Sequence, residues 1–173
     1  FETLRLAPYY GAAAEAVPEA APFLEALIHD TRQTRTALVH GDYSPKNVLL
    51  HAGTLVLLDH EVIHYGDPAF DVGFALTHLL SKAHHLADHG AAFANAARQF
   101  WGEYCLRVDP DAQRAARHCL ACLLARVAGK SPLEYLSAAE RSRQQAICVA
   151  LMASRPCEDP VELIDRFIRA LAA

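Results

Sequence analysis

The chain has 173 residues, 53% of them hydrophobic, which is enough for one domain with a sizeable core and too apolar for a disordered segment. Its net charge is −4 and its pI about 6.2, so it carries no basic footprint for nucleic acid. Every apolar run is broken by His, Arg or Asp before the ~20 residues of a membrane span, no signal-peptide pattern is visible, and an odd number of cysteines suits a reducing cytoplasm better than a disulfide framework.

Phe1-Glu2-Thr3-Leu4-Arg5-Leu6 reads as the inside of a longer protein, so a fragment or a processed product is expected. The start reads as irregular, with an alanine-rich stretch from Ala12 to Ala21. Pro18-Glu19 then opens a helix to about Arg35, with Phe23, Leu24, Leu27 and Ile28 on one face. Thr36 to Val39 is short and β-prone. Val48 to His51 and Thr54 to Leu58 flank Ala52-Gly53 as a hairpin.

Beyond the hairpin the pattern is helical almost to the end. Asp67-Pro68 caps a helix carrying Phe70, Phe74, Leu76, Leu79 and Leu80. A second helix is predicted from about Ala91 to Arg107, and a third from Asp109-Pro110 to near Gly129. Ser137-Ala-Ala-Glu140 is a capping box for a fourth, running to about Ala153, and Asp159-Pro160-Val-Glu162 opens a fifth. Cys105, Cys119, Cys122 and Cys148 all fall in apolar helical stretches and read as buried small hydrophobes. The fold class is therefore mainly α with a small β-hairpin, and the hairpin region carries the polar motif.

That motif is Val39-His-Gly-Asp-Tyr-Ser-Pro-Lys-Asn47, followed across the hairpin by Asp59-His60-Glu61. Phosphoryl transfer to a hydroxyl demands positioning and charge neutralisation more than covalent work. One carboxylate must orient the hydroxyl and take its proton, a task for Asp42. Oxygen ligands must hold Mg²⁺, a task for Asn47 and Asp59, which the hairpin returns to the loop.

His40-Gly41-Asp42-x-x-x-x-Asn47 resembles the catalytic loop of the aminoglycoside phosphotransferase and choline kinase superfamily, a loop that in protein kinases has Arg in place of Gly. Asp59-His60-Glu61 is similar to the family's Asp-x-Glu metal arm, and Gly66-Asp67-Pro68-Ala-Phe-Asp71 to its Gly-Asp-Pro-x-x-Asp segment. The resemblance implies the C-terminal lobe of a protein-kinase-like fold over residues 1–173, with the catalytic loop and metal arm in 38–73 and a helical subdomain in 74–173. It implies an ATP- and Mg²⁺-dependent phosphotransferase acting on a small-molecule hydroxyl, without nucleic acid or membrane as a partner. His40 is expected to buttress the loop and Asp71 to bond its backbone amides. Glu61 either assists the metal or faces solvent; Lys46 either contacts a phosphate or is a solvated loop lysine.

The resemblance also implies a preceding lobe that grips ATP with a sheet, a phosphate loop and a lysine. Residues 1–37 contain no lysine, so that lobe is expected to be missing from the chain, which would then be inactive by itself and prone to self-association through the surface left behind. The alternative function is a non-catalytic binding module that retains the motif. Three weaker signals are set aside. Ala128-Gly129-Lys130-Ser131 imitates the end of a P-loop, but Leu124 stands where glycine is required. Cys119-Leu-Ala-Cys122 has no second ligand pair for zinc, and His84, His85 and His89 read as a helix end rather than a metal site.

Overall fold

A computed structural model describes residues 1–173. The start of the chain is helical, not irregular. Glu2–Gly11 winds as a wide π-type helix, Ala12–Ala16 (α1) continues it, and a short turn at Pro18–Ala20 leads into Ala21–Gln33 (α2). Pro8 and Gly11 hid this helix, because both normally punctuate a helical pattern. Apolar residues at helical spacing drive it nonetheless: Leu6, Tyr9, Tyr10, Ala13 and Val17 are all buried. Phe1 stacks on His64 at 4.1 Å and meets Phe70 edge-on at 4.8 Å, which seats the opening helix beside the motif.

Two strand pairs follow. Val48–His51 (β2) and Thr54–Leu57 (β3) form the expected hairpin, with Val48 opposite Leu57 and His51 opposite Thr54. Ala52 and Gly53 turn it with φ of 47° and 77°, the left-handed geometry of a tight hairpin loop. Ala37–Val39 (β1) pairs antiparallel with His64–Gly66 (β4), a strand too short to show any alternation in the sequence. The pairs leave a large apolar side open: Leu38, Leu50 and Leu55 are each about two-thirds exposed, and Tyr65 nearly so.

Five helices complete the chain: Ala69–His85 (α3), Gly90–Cys105 (α4), Ala112–Ala128 (α5), Ala138–Met152 (α6) and Pro160–Ala172 (α7). The capping box of α6 forms in full, and Asp159 caps α7 by accepting from the Glu162 amide at 2.8 Å. Helix α5 starts later than expected. Asp111, not Asp109, caps it, accepting from the Arg114 amide at 2.9 Å. No helix is long and apolar enough to cross a membrane.

One cluster of 33 buried residues forms the core, centred on the crossing of α3 and α5. Their approach requires Gly73, since a Cβ there would lie 2.5 Å from the Cys119 amide nitrogen and 2.6 Å from His118 Cβ. A buried polar chain spans the same layer. Tyr10 Oη meets His118 Nδ1 at 2.8 Å, and His118 Nε2 meets Asp67 Oδ2 at 3.2 Å. Asp67 therefore does more than cap α3, where its Oδ1 accepts from the Ala69 amide at 3.0 Å. Cys119, Cys122 and Cys148 are buried as expected, but Cys105 is exposed, because the last turn of α4 projects beyond the core. His84 and His85 are taken up by contacts to α6, with Gln144 at 3.3 Å and Glu140 at 2.9 Å.

Gly73→Ala is expected to destabilise the chain by about 1–3 kcal/mol through overpacking. Gly102→Ala, on α4 with nothing within 4 Å of the added Cβ, is expected to stabilise it by about 0.5–1 kcal/mol. Urea denaturation of the two variants beside the parent measures both.

Candidate active site

The motif leaves β1 at Val39 and turns sharply. Gly41 has φ +79°, and a Cβ there would sit 2.9 Å from Val62 Cγ1 and 3.0 Å from its carbonyl oxygen, so both the conformation and the space demand glycine. The carboxylate of Asp71, in the first turn of α3, holds this turn. Its Oδ2 accepts from the His40 amide at 2.6 Å and its Oδ1 from the Gly41 amide at 2.8 Å. Burial pushes the Asp71 carboxyl above its ordinary pKa, and the two amides pull against that rise.

His40 ties the loop to the residue that follows the hairpin. Its Nδ1 accepts from the Asp42 amide at 3.2 Å, which leaves Nε2 to donate to the Leu58 carbonyl at 2.9 Å. Leu58 in turn donates its amide to the Asn47 carbonyl at 2.9 Å. Two bonds on Leu58 thus bring Asp59, the next residue, to the end of the loop. Asp59 takes a left-handed backbone with φ 63° and is exposed, with no ionic partner.

Between these anchors the chain makes a short turn at Pro45–Asn47, entered through an extended Ser44. Asn47 Nδ2 donates to both the carbonyl and the Oδ2 of Asp42, each at 2.9 Å. The amide nitrogen must face Asp42, since the opposite orientation would set two oxygens against each other. Asn47 Oδ1 is therefore the atom turned outward.

Asp42 itself is 5% exposed. Its Oδ2 collects the Asn47 amide, Lys46 Nζ at 3.1 Å and Arg5 Nη2 at 3.4 Å, while its Oδ1 has no protein partner. Lys46, two-thirds exposed, reaches over from within the loop. Arg5 comes from the opening helix, and its Nε also donates to the Gly41 carbonyl at 2.5 Å. The sequence reading missed Arg5. Its only signal was an arginine between Leu4 and Leu6 in an apolar segment, and nothing local points from there to Gly41, 36 residues away. Glu61 is exposed without a partner.

The donor set suits a hard divalent cation. Asn47 Oδ1 and the Asp59 carboxylate are oxygens free of protein partners, and Mg²⁺ takes one or two such ligands when phosphate oxygens and water complete its octahedron. Taken together, the site offers one half-committed carboxylate with an open oxygen, beside two free oxygen donors and two cations.

That combination defines a phosphotransferase-type loop on a helical lobe. Residues 2–107, more than half of the chain, match the model of the phosphotransferase enzyme family, and the chain belongs to that family, within the aminoglycoside phosphotransferase and choline kinase superfamily. Among curated proteins, acyl-CoA dehydrogenase family member 10 of Mus musculus is 42% identical over 62 residues. The match covers 31% of this chain and 6% of that protein, so the chain corresponds to a small part of the relative's length.

Asp71→Ala leaves two backbone N–H groups without acceptors and is expected to cost about 2 kcal/mol or more. Hydrogen exchange at the His40 and Gly41 amides should accelerate in the same variant. Exchange rates equal to those of the parent would show that the loop is held by something else.

Proposed function

We propose that the chain is the acceptor-activating part of an ATP-dependent kinase that phosphorylates a hydroxyl of a small molecule. Asp42 Oδ1 orients the acceptor hydroxyl and takes its proton as the oxygen attacks the γ-phosphorus. The bond between that phosphorus and its bridging oxygen breaks, and ADP leaves. Asn47 Oδ1 and Asp59 are the residues that would hold Mg²⁺, which when bound would neutralise charge on the phosphate oxygens. Lys46 and Arg5 face the buried Asp42 carboxylate through Oδ2 and hold it steady while Oδ1 works. His40 and Asp71 support the loop without touching the reacting atoms, and the exposed Glu61, two residues beyond Asp59, is the candidate for a further oxygen ligand.

The observation that carries this reading is the division of labour on Asp42. Every protein contact falls on Oδ2, and the remaining oxygen is left for a substrate. Five free cysteines fit a reducing compartment, and we place the protein in the cytoplasm.

A second reading draws on the open apolar side of the strand pairs, where Leu38, Leu50, Leu55 and Tyr65 are exposed together. A binding module that associates with a second copy of itself through this side would keep the motif without using it.

Asp42→Ala, made in the longest natural form of the protein, is expected to lower ATP-dependent phosphorylation of the acceptor about 10²–10⁴-fold. Turnover at the parent rate would remove Asp42 from the mechanism. Calorimetry of the 173-residue chain with Mg-ATP, paired with sedimentation over a range of concentrations, separates the two readings. Nucleotide binding by a monomer supports the kinase, and a dimer indifferent to nucleotide supports the module.

A further inference from the structure

The chain contains three lysines, Lys46, Lys82 and Lys130, and all three line one cleft. The cleft has a volume of about 750 Å³. Its walls are the catalytic loop at Ser44–Lys46, the middle of α3 at His78 and Lys82, and the end of α5 with the loop that follows, Arg126 to Tyr135. Four cations line it against a single carboxylate, Glu134, in a protein whose net charge is −4. Of those four, Lys46 is the one paired with a carboxylate, that of Asp42. Lys82 rests on the Tyr135 ring, 3.8 Å from its centroid, and Arg126 spends Nη1 on Tyr9 Oη and the Ser131 carbonyl.

The second observation is independent of charge. Three buried side-chain atoms have no hydrogen-bond partner, Ser44 Oγ, His78 Nε2 and Arg126 Nε, while the Tyr135 hydroxyl beside them has Ser81 as its neighbour. All three belong to residues lining this cleft. A buried polar group left unmade costs about 1–3 kcal/mol, so three on the wall of one cleft call for partners from outside the protein, solvent or a ligand. Most of the set are donors: a guanidinium N–H, two hydroxyls and the lysine ammonium groups. Burial and the neighbouring Arg126 lower the His78 pKa to about 4, so its imidazole is neutral at physiological pH and adds no positive charge to the wall.

We infer that this cleft is the acceptor site and that the acceptor is an anionic hydroxyl compound, carrying a carboxylate or a phosphate beside the hydroxyl to be phosphorylated. The inference rests on the proposed role of Asp42, which does not line the cleft itself but pairs with Lys46 on its wall at 3.1 Å. Lys82, Lys130 and Arg126 hold the anionic group, while Ser44 and His78 face the hydroxyl end. Polycationic sugars and choline-like alcohols meet repulsion from the same walls.

The test is binding to the whole chain, read by NMR shifts at Ser44, His78 and Tyr135. The probes are glycerate, glycerol 3-phosphate, glycerol and choline. Shifts with glycerate or glycerol 3-phosphate, and none with glycerol or choline, support the proposal, and the stronger of the two anions identifies the group held. Lys82→Gln with Lys130→Gln should weaken that binding about tenfold or more, the effect of losing one charge-assisted contact. Binding of choline, binding of no probe, or anion binding that survives the double variant unchanged overturns the proposal. Asp42→Asn separates it from the mechanism. That variant should bind the anions at least as tightly as the parent, since it removes a negative charge, whether or not Asp42 proves to be the base.

Discussion

The Asp71 carboxylate accepts two consecutive backbone amides, those of His40 and Gly41, and by doing so it joins the catalytic loop to the first turn of the central helix. The rest of the site follows from that joint. With Gly41 held against Val62, the chain has one way to turn, and the turn delivers Asp42 into a buried position. With His40 held, its imidazole is placed to span from the Asp42 amide to the Leu58 carbonyl, and the segment after β3 that carries Asp59 is drawn alongside. Helix α3 is itself locked by its close crossing with α5 at Gly73, so the loop inherits the rigidity of the core.

Charge is distributed by residue type as well as by sign. Arginines make the outer ion pairs, such as Arg98 with Asp165 and Arg155 with Glu162, where a planar fork suits a carboxylate. The lysines gather at the cleft beside the loop instead, as mobile point charges around an open space. Two arginines depart from this: Arg126 lines the cleft without a carboxylate partner, and Arg5 is enclosed between the opening helix and the loop, bonding the Gly41 carbonyl as well as facing Asp42. Asp42 is thereby a buried carboxylate with its charge balanced on one oxygen and its other oxygen open, the arrangement a general base requires.

The parts that could be read in advance are those whose physics is local. The loop from His40 to Asn47 closes on itself through bonds five residues apart or fewer, so residue type and spacing convey its geometry. The capping box at Ser137 and the hairpin turn at Ala52-Gly53 are equally short-range. The misreadings were all decided at a distance. The opening helix forms despite Pro8 and Gly11 because its apolar face is buried against the core. Strand β4 exists because β1 is there to pair with it. Cys105 is exposed because of where α4 ends relative to the other helices, which no feature of the cysteine announces.

The sequence by itself determined the family motif and the local geometry of the loop, since Asp42, Asn47 and Asp59 lie within 18 positions and are linked by a hairpin whose register is encoded in place. Tertiary structure alone decided what surrounds them. It brought Arg5 to Asp42 from the opening helix, set Asp71 beneath the loop from α3, and gathered Lys82 from the same helix and Lys130 from the loop after α5 to the wall of one cleft. Contacts between residues tens of positions apart depend on how the helices pack, and packing is a property of the whole buried surface rather than of any one segment.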